Sequence, residues 1–222
     1  HSNGHRVETL TEAGIVGKIG MSSAGVGVML NILGHRDDGP PLGVPVHVLT
    51  RTVLDRAANA VEALQILTTA TVSASSAATV VAADENGGAV CTVELCAAGP
   101  GFVTPDDRGV LVHTNHFLAE PGRSGDTMVR EAPDSVLRLD HARRAMGRLE
   151  AGTIDETAIL GALRSHRGGS GAICCHPAVD AAFGDRWATL ATITLEPVPA
   201  RMTLRRGGPC QAEPATLISA TA

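Results

Sequence analysis

Thr11–Asn31, TEAGIVGKIGMSSAGVGVMLN, is the stretch on which the reading of this chain turns. It predicts two short apolar strands, Gly14–Ile19 and Val26–Leu30, joined by the small-residue turn Met21-Ser22-Ser23-Ala24-Gly25. β-Branched residues fit a pleated surface, and a turn of Ser, Ala and Gly admits tight geometry. Gly14, Gly17, Gly20, Gly25 and Gly27 leave little bulk, as expected where a neighbour or a ligand comes close to the backbone.

Outward from this hairpin, the chain of 222 residues is long enough for one sizeable domain, expected to span residues 1–222. Only 2% of residues are aromatic against 44% hydrophobic, so the core must be packed from Val, Leu, Ile and Ala. A formal net charge of -5, with no basic run, gives no footprint for nucleic acid. No apolar run reaches the roughly 18 residues of a membrane span, so neither nucleic acid nor a membrane is an expected partner. Five cysteines (Cys91, Cys96, Cys174, Cys175 and Cys210) without framework spacing suit free thiols in a reducing, cytoplasmic setting. The opening His1-Ser2-Asn3-Gly4-His5 is neither an initiator Met nor a signal peptide, and a start inside a longer gene product is expected.

Helical spacing is expected over Val44–Arg56, and Asn59 caps a second helix over Ala60–Leu67. Ser75–Ala83 and Ala89–Leu95 read as strands paired across Asp84-Glu85-Asn86-Gly87-Gly88, followed by a strand over Gly109–Thr114. A helix begins with Asp134 or Ser135 as cap and runs to Gly147, with Arg138, Arg143, Arg144 and Arg148 on a solvated face. Thr153 and Glu156 form a capping-box pattern for a helix over Ile154–Arg164. Ala172–Cys175, Trp187–Leu195 and Ala200–Arg205 complete the strands. Runs of strands and runs of helices predict antiparallel sheets covered by helices, an α+β layered sandwich.

The candidate chemistry lies in His113-Thr114-Asn115-His116, at the end of an apolar run. His113 and His116 are three apart, so on a strand they face opposite ways, and no H-E-x-x-H or C-x-x-C accompanies them; no metal is expected there. Asn115 can offer a side-chain amide N–H to a developing oxyanion, or simply bond its own loop. Cys174-Cys175 alternate across a strand and read as buried thiols, Cys91 reads as core, and Ser73, Ser75 and Ser76 lack a nucleophile elbow.

Four ordered motifs, TEAGIVGKIGMSSAGVGVMLN, GVPVHVLTRTVLD, VLVHTNHF and AICCHP, resemble the acyl-coenzyme A:6-aminopenicillanic acid acyltransferase family of N-terminal-nucleophile hydrolases, from about Glu8 to Leu195. The resemblance implies an αββα four-layer sandwich of two antiparallel sheets. It implies acyl transfer or amide hydrolysis at carbon–nitrogen bonds, through a thioester on an N-terminal Cys freed by self-cleavage. An α-amino group with a pKa near 8 can take the thiol proton at neutral pH. The family's oxyanion donors fall on Asn115 (side chain) and Ser22 (backbone N–H), with Cys175 and His116 at substrate-binding positions. The family usually has Arg where this chain has Cys175. The nucleophilic Cys precedes the first motif, so an N-terminal segment carrying it is the expected partner, beside a small-molecule amide or acyl substrate. No cofactor is expected; acyl-coenzyme A would be a substrate, as acyl donor. The alternative is a non-catalytic binding or vestigial fragment of the same fold.

Overall fold

The computed structural model describes residues 4–84, 87–150, 152–211 and 216–219. Six strands form one antiparallel meander in chain order: β1 (Val7–Leu10), β2 (Ile19–Ser22), β3 (Val26–Ile32), β4 (Ser76–Asp84), β5 (Gly87–Cys96) and β6 (Gly99–Val103). A second antiparallel sheet holds β7 (Ala191–Glu196), β8 (Arg201–Arg206) and β9 (Thr216–Ser219).

Side-chain alternation assigns the faces. Val26 and Val28 of β3, with Ala78 and Val80 of β4 and Val93 and Leu95 of β5, pack on α1 (Val46–Arg56) and α2 (Ala60–Thr68) through Leu49, Val53, Leu54, Ala63 and Leu67. On the opposite face, Met21 meets Ala200, Met202, Ile193 and Leu195 of the second sheet. Gly27 lies between the sheets. A Cβ there would stand 2.8 Å from Val81 Cγ2, 3.0 Å from Met21 Cε and 3.1 Å from Leu195 Cδ1. The outer face of the second sheet carries Thr194 and Arg205, and both reach Glu156 on α5 (Glu156–Leu163), at 2.8 and 2.6 Å. Helices, sheet, sheet and helices therefore follow in layers, as the αββα expectation has it.

Several boundaries differ from the sequence expectations for identifiable reasons. The first hairpin strand begins at Ile19, not Gly14, because Gly14 has a positive φ of 86° and Thr11 Oγ1 donates to Ile15 O, folding Thr11–Lys18 into a loop. Asn59 caps α2 as expected, its Oδ1 accepting from Glu62 N at 3.0 Å. Asp155, not Thr153, caps α5 by accepting from Ala158 N, while Glu156 is taken up by Arg205 and Thr194. On helix α4 (Asp134–Gly147; the four-residue helix Met128–Glu131 is α3), neither Asp134 nor Ser135 acts as a cap. Asp134 pairs with Arg138, and Ser135 serves the loop before it. Ala172–Cys175 is a bent, irregular segment that joins no ladder among the described residues, and β7 begins only at Ala191. Gly109–Thr114 likewise pairs with no strand among the described residues. Of the expected β4–β5 turn, Glu85 and Asn86 lie outside the described residues. No described helix is long and apolar enough to cross a membrane.

Candidate active site

The irregular run 110–117 ends in a polar network beneath the far end of β3. Glu94 is fully buried on β5, and its carboxylate organises the surroundings. Oε1 lies 2.7 Å from His113 Nε2 and accepts from Leu118 N, while Oε2 accepts from Ala119 N. His113 Nδ1–H donates to Thr114 O at 2.7 Å, so both ring nitrogens face oxygen. A buried pair of this kind is tolerable because its remaining lone pairs and protons are satisfied.

Ser135, at the start of α4, is the second organiser. Its Oγ accepts from Asn115 N at 2.8 Å and donates to Thr114 Oγ1 at 3.1 Å. The His116 Nδ1–H therefore donates to the same Oγ at 2.8 Å, leaving Nε2 as the acceptor of that ring. Burial pulls the His116 pKa below its ordinary value, against the pull of Asp126, so the neutral imidazole is favoured.

Asn115 is held from both ends of its amide. Nδ2 donates to Ile32 O at 3.0 Å, and Oδ1 accepts from both Arg138 terminal nitrogens at 3.3 and 3.2 Å. Arg138 is itself fixed by Asp134, Nε to Oδ2, at 3.0 Å. A primary amide carries two N–H bonds, and the second has no partner among the described residues. The guanidinium at Oδ1 draws charge from the amide and strengthens that remaining donor.

Beside this network opens a cavity of about 620 Å³ lined by His116, Phe117 and Leu139, with Arg123, Arg143 and Asp126 supplying charge. Asp126 is anchored by Phe117 N and Val129 N. His116 thus lines a cavity of substrate size, within the usual range for small-molecule sites.

The structure does not bring Ser22 to Asn115. Ser22 ends β2, where the pairing of Met21 with Gly27 sets it beside Val26, whereas Asn115 is bonded to Ile32 at the other end of β3. Six residues at about 3.3 Å each separate them by roughly 20 Å. Two donors to one oxyanion, each about 3 Å from it, can be no more than about 6 Å apart. Ser22 is instead fully buried, with an Oγ that has no partner among the described residues. Cys175 lies on another segment. Its Sγ donates to Ser170 O and Trp187 O, and its N–H to Thr189 Oγ1, so it is held by neighbouring groups of its own segment. His113 and His116 have separate partners, Glu94 and Ser135.

Three charged groups of this candidate site are not marked by the sequence alone. Arg138, expected on a solvated face, borders the stripe Ser135–Leu139–Ala142–Met146 that α4 buries and is half-buried against Asn115 and Asp134. Arg143 lines the cavity. Glu94, a lone carboxylate among the apolar residues of Val93–Cys96, was the plainest missed signal.

The family model described as acyl-coenzyme A:6-aminopenicillanic acid acyl-transferase matches residues 2–211. The acyl-coenzyme A:6-aminopenicillanic-acid-acyltransferase 40 kDa form of Emericella nidulans is 34% identical over 133 residues, 60% of this chain and 35% of that protein. The match thus spans about a third of that relative's length. The crystal structure of a mutant conjugated bile acid hydrolase from Clostridium perfringens is similar in fold, with a TM-score of 0.59 at 14% identity, over 95% of this chain and 74% of that one.

Proposed function

We propose, for a chain that belongs to the acyl-coenzyme A:6-aminopenicillanic acid acyl-transferase family, the larger part of an enzyme that makes or breaks carbon–nitrogen amide bonds through an acyl-thioester. The observation that carries the reading is the Asn115 amide, clamped at Oδ1 by Arg138 and keeping an N–H to give. In this reading a Cys outside this sequence attacks the acyl carbonyl, with its own α-amino group as base. Asn115 stabilises the negative oxygen that develops, and the acyl group passes to an amine or to water. The proposal rests the oxyanion role on Asn115, since Ser22 lies at the other end of β3.

The cavity beside His116 suits the acyl donor or acceptor. Arg123 and Arg143 give it guanidinium groups for a carboxylate or phosphate, the kind of contact Cys175 cannot make. His116, neutral and with a free Nε2 acceptor, lines the same wall and can orient a hydroxyl or amide donor of the substrate.

Intact-mass spectrometry of the full-length gene product, before and after incubation with an N-acyl substrate, tests the reading. The expected result is two chains from one precursor, the larger beginning with Cys, and an acyl adduct on that Cys removed by hydroxylamine. A single unprocessed species without an adduct contradicts it, and the non-catalytic reading then takes its place.

A further inference from the structure

A second constellation of reactive side chains stands apart from the Asn115 network. His166 follows α5, Cys174 and His176 lie on the irregular segment after it, and Cys210 sits in the turn after β8. One donor atom from each of the four lies within 4.8 Å of all the others. His176 Nε2 is 3.2 Å from Cys210 Sγ and 3.6 Å from Cys174 Sγ. The His166 and His176 rings stand nearly perpendicular, at 79°, with centroids 4.9 Å apart. We infer that these residues form a structural Cys₂His₂ site for a divalent d¹⁰ metal ion, Zn²⁺ by the softness of its ligands.

The geometry matches that chemistry. Metal–sulfur bonds of about 2.3 Å and metal–nitrogen bonds of about 2.0–2.1 Å, arranged tetrahedrally, put neighbouring donor atoms about 3.3–3.8 Å apart. The two separations from His176 lie in or just below that range, and since no pair of donors is more than 4.8 Å apart, closing the four around an ion takes movements of about an ångström or less. Two thiolates balance a divalent charge and two neutral imidazoles add none, so the occupied site buries no net charge. Binding releases the two thiol protons to solvent.

The surrounding backbone holds the donors in place. Cys174 N donates to Ser165 O, Thr189 N donates to Cys175 O, and Arg164 Nε donates to Pro209 O next to Cys210. Gly207 N donates to Leu190 O, tying the same turn to the segment that precedes β7. Gly208 is a required glycine, because a Cβ there would fall 2.4 Å from Cys174 Sγ and close the site. Cys174 is fully buried and His166 exposed, so one side of the cluster faces solvent as an entry path. Four protein ligands leave no open position, which makes the role structural: the ion would staple the end of α5, the irregular segment after it and the turn after β8. The spacing, with a single residue between Cys174 and His176 and long gaps to the other two, follows no common zinc motif and is not legible from sequence.

The test uses the untagged full-length gene product, purified under reducing conditions, with Zn²⁺ and Co²⁺ as probes. The expected results are one zinc per chain after dialysis and, with Co²⁺, the intense visible bands of a tetrahedral cobalt–thiolate site. Cys210→Ser and His176→Ala should each lower zinc content at least tenfold, whereas Cys175→Ser should leave it at one per chain. Should those variants fail to fold, cobalt titration of the unmodified chain still decides the question. Absence of the cobalt–thiolate bands, a zinc content below a tenth per chain, or a Cys174–Cys210 disulfide in protein kept anaerobic would each overturn the inference.

Discussion

The two ends of β3 are packed against their surroundings by opposite means. At the Val26 end, small residues let two sheets close on one another: Gly27 sits against Val81, Met21 and Leu195, and Gly25 approaches Pro197 O. Ser22 there keeps a buried Oγ without a partner among the described residues. At the Ile32 end, Glu94, His113, Thr114, His116, Ser135, Arg138 and Asn115 bury polar groups by pairing them with one another. The first end is an apolar packing problem solved with glycine, the second an electrostatic one solved with hydrogen bonds. Only the second has preorganised donors, and an oxyanion is stabilised by donors already fixed in place. This is why the functional reading rests on the Asn115 end, although the glycine-rich hairpin is the more conspicuous stretch of sequence.

The comparison breaks most sharply at Glu94. Glu94→Ala leaves His113 and the amides of Leu118 and Ala119 without their acceptor, and is expected to cost about 3–5 kcal/mol of stability, read by denaturant unfolding. A loss below about 1 kcal/mol would show that the network is not held together by this carboxylate. At the opposite end the mechanism is steric. Gly27→Ala drives a Cβ between the sheets and is expected to cost about 1–3 kcal/mol, because packed cores resist added volume. If the variant is as stable as the parent, the sheets are not in close contact there.

The smallest effect is a pH dependence confined to the polar end. His116 is held neutral by burial, so its folded pKa lies below the ordinary value near 6.5. The unfolded chain then binds the proton more readily, and stability is fully present above about pH 6.5 and lost as pH falls through the lower folded value. Thermal melts of the parent and His116→Gln should differ in slope below about pH 6.5, the parent losing midpoint faster. Parallel slopes would mean that His116 does not titrate differently in the two states.

How much of this was legible before the fold was known follows the same division. The α1–α2 pair and the Asn59 cap are legible from periodicity and capping chemistry, because they rest on local pattern, whereas the αββα layering follows from the family resemblance and not from any local pattern. The onset of the hairpin is not legible, because the glycines of Thr11–Lys18 look the same in a strand and in a loop; the positive φ of Gly14 decides between them. Asn115 was singled out from its run of polar residues, but its clamp was not. Arg138 comes from a helix more than twenty residues on, and a helical arginine normally reads as solvated. Glu94 and the His166–Cys174–His176–Cys210 cluster were missed for the same reason, since their partners are neighbours only in three dimensions.

The central claim is that the Asn115 amide stabilises charge in the transition state and is not merely a bond to Ile32 and Arg138. The most direct measurement is kcat and KM for Asn115→Ala against the parent in the full-length gene product, with thermal midpoints recorded on the same samples. The account predicts a fall in kcat of about 100-fold or more, the ~2.7–4 kcal/mol of a lost oxyanion donor, with KM and midpoint little changed. A kcat close to the parent's, or a loss that appears only as a lowered midpoint, would contradict it.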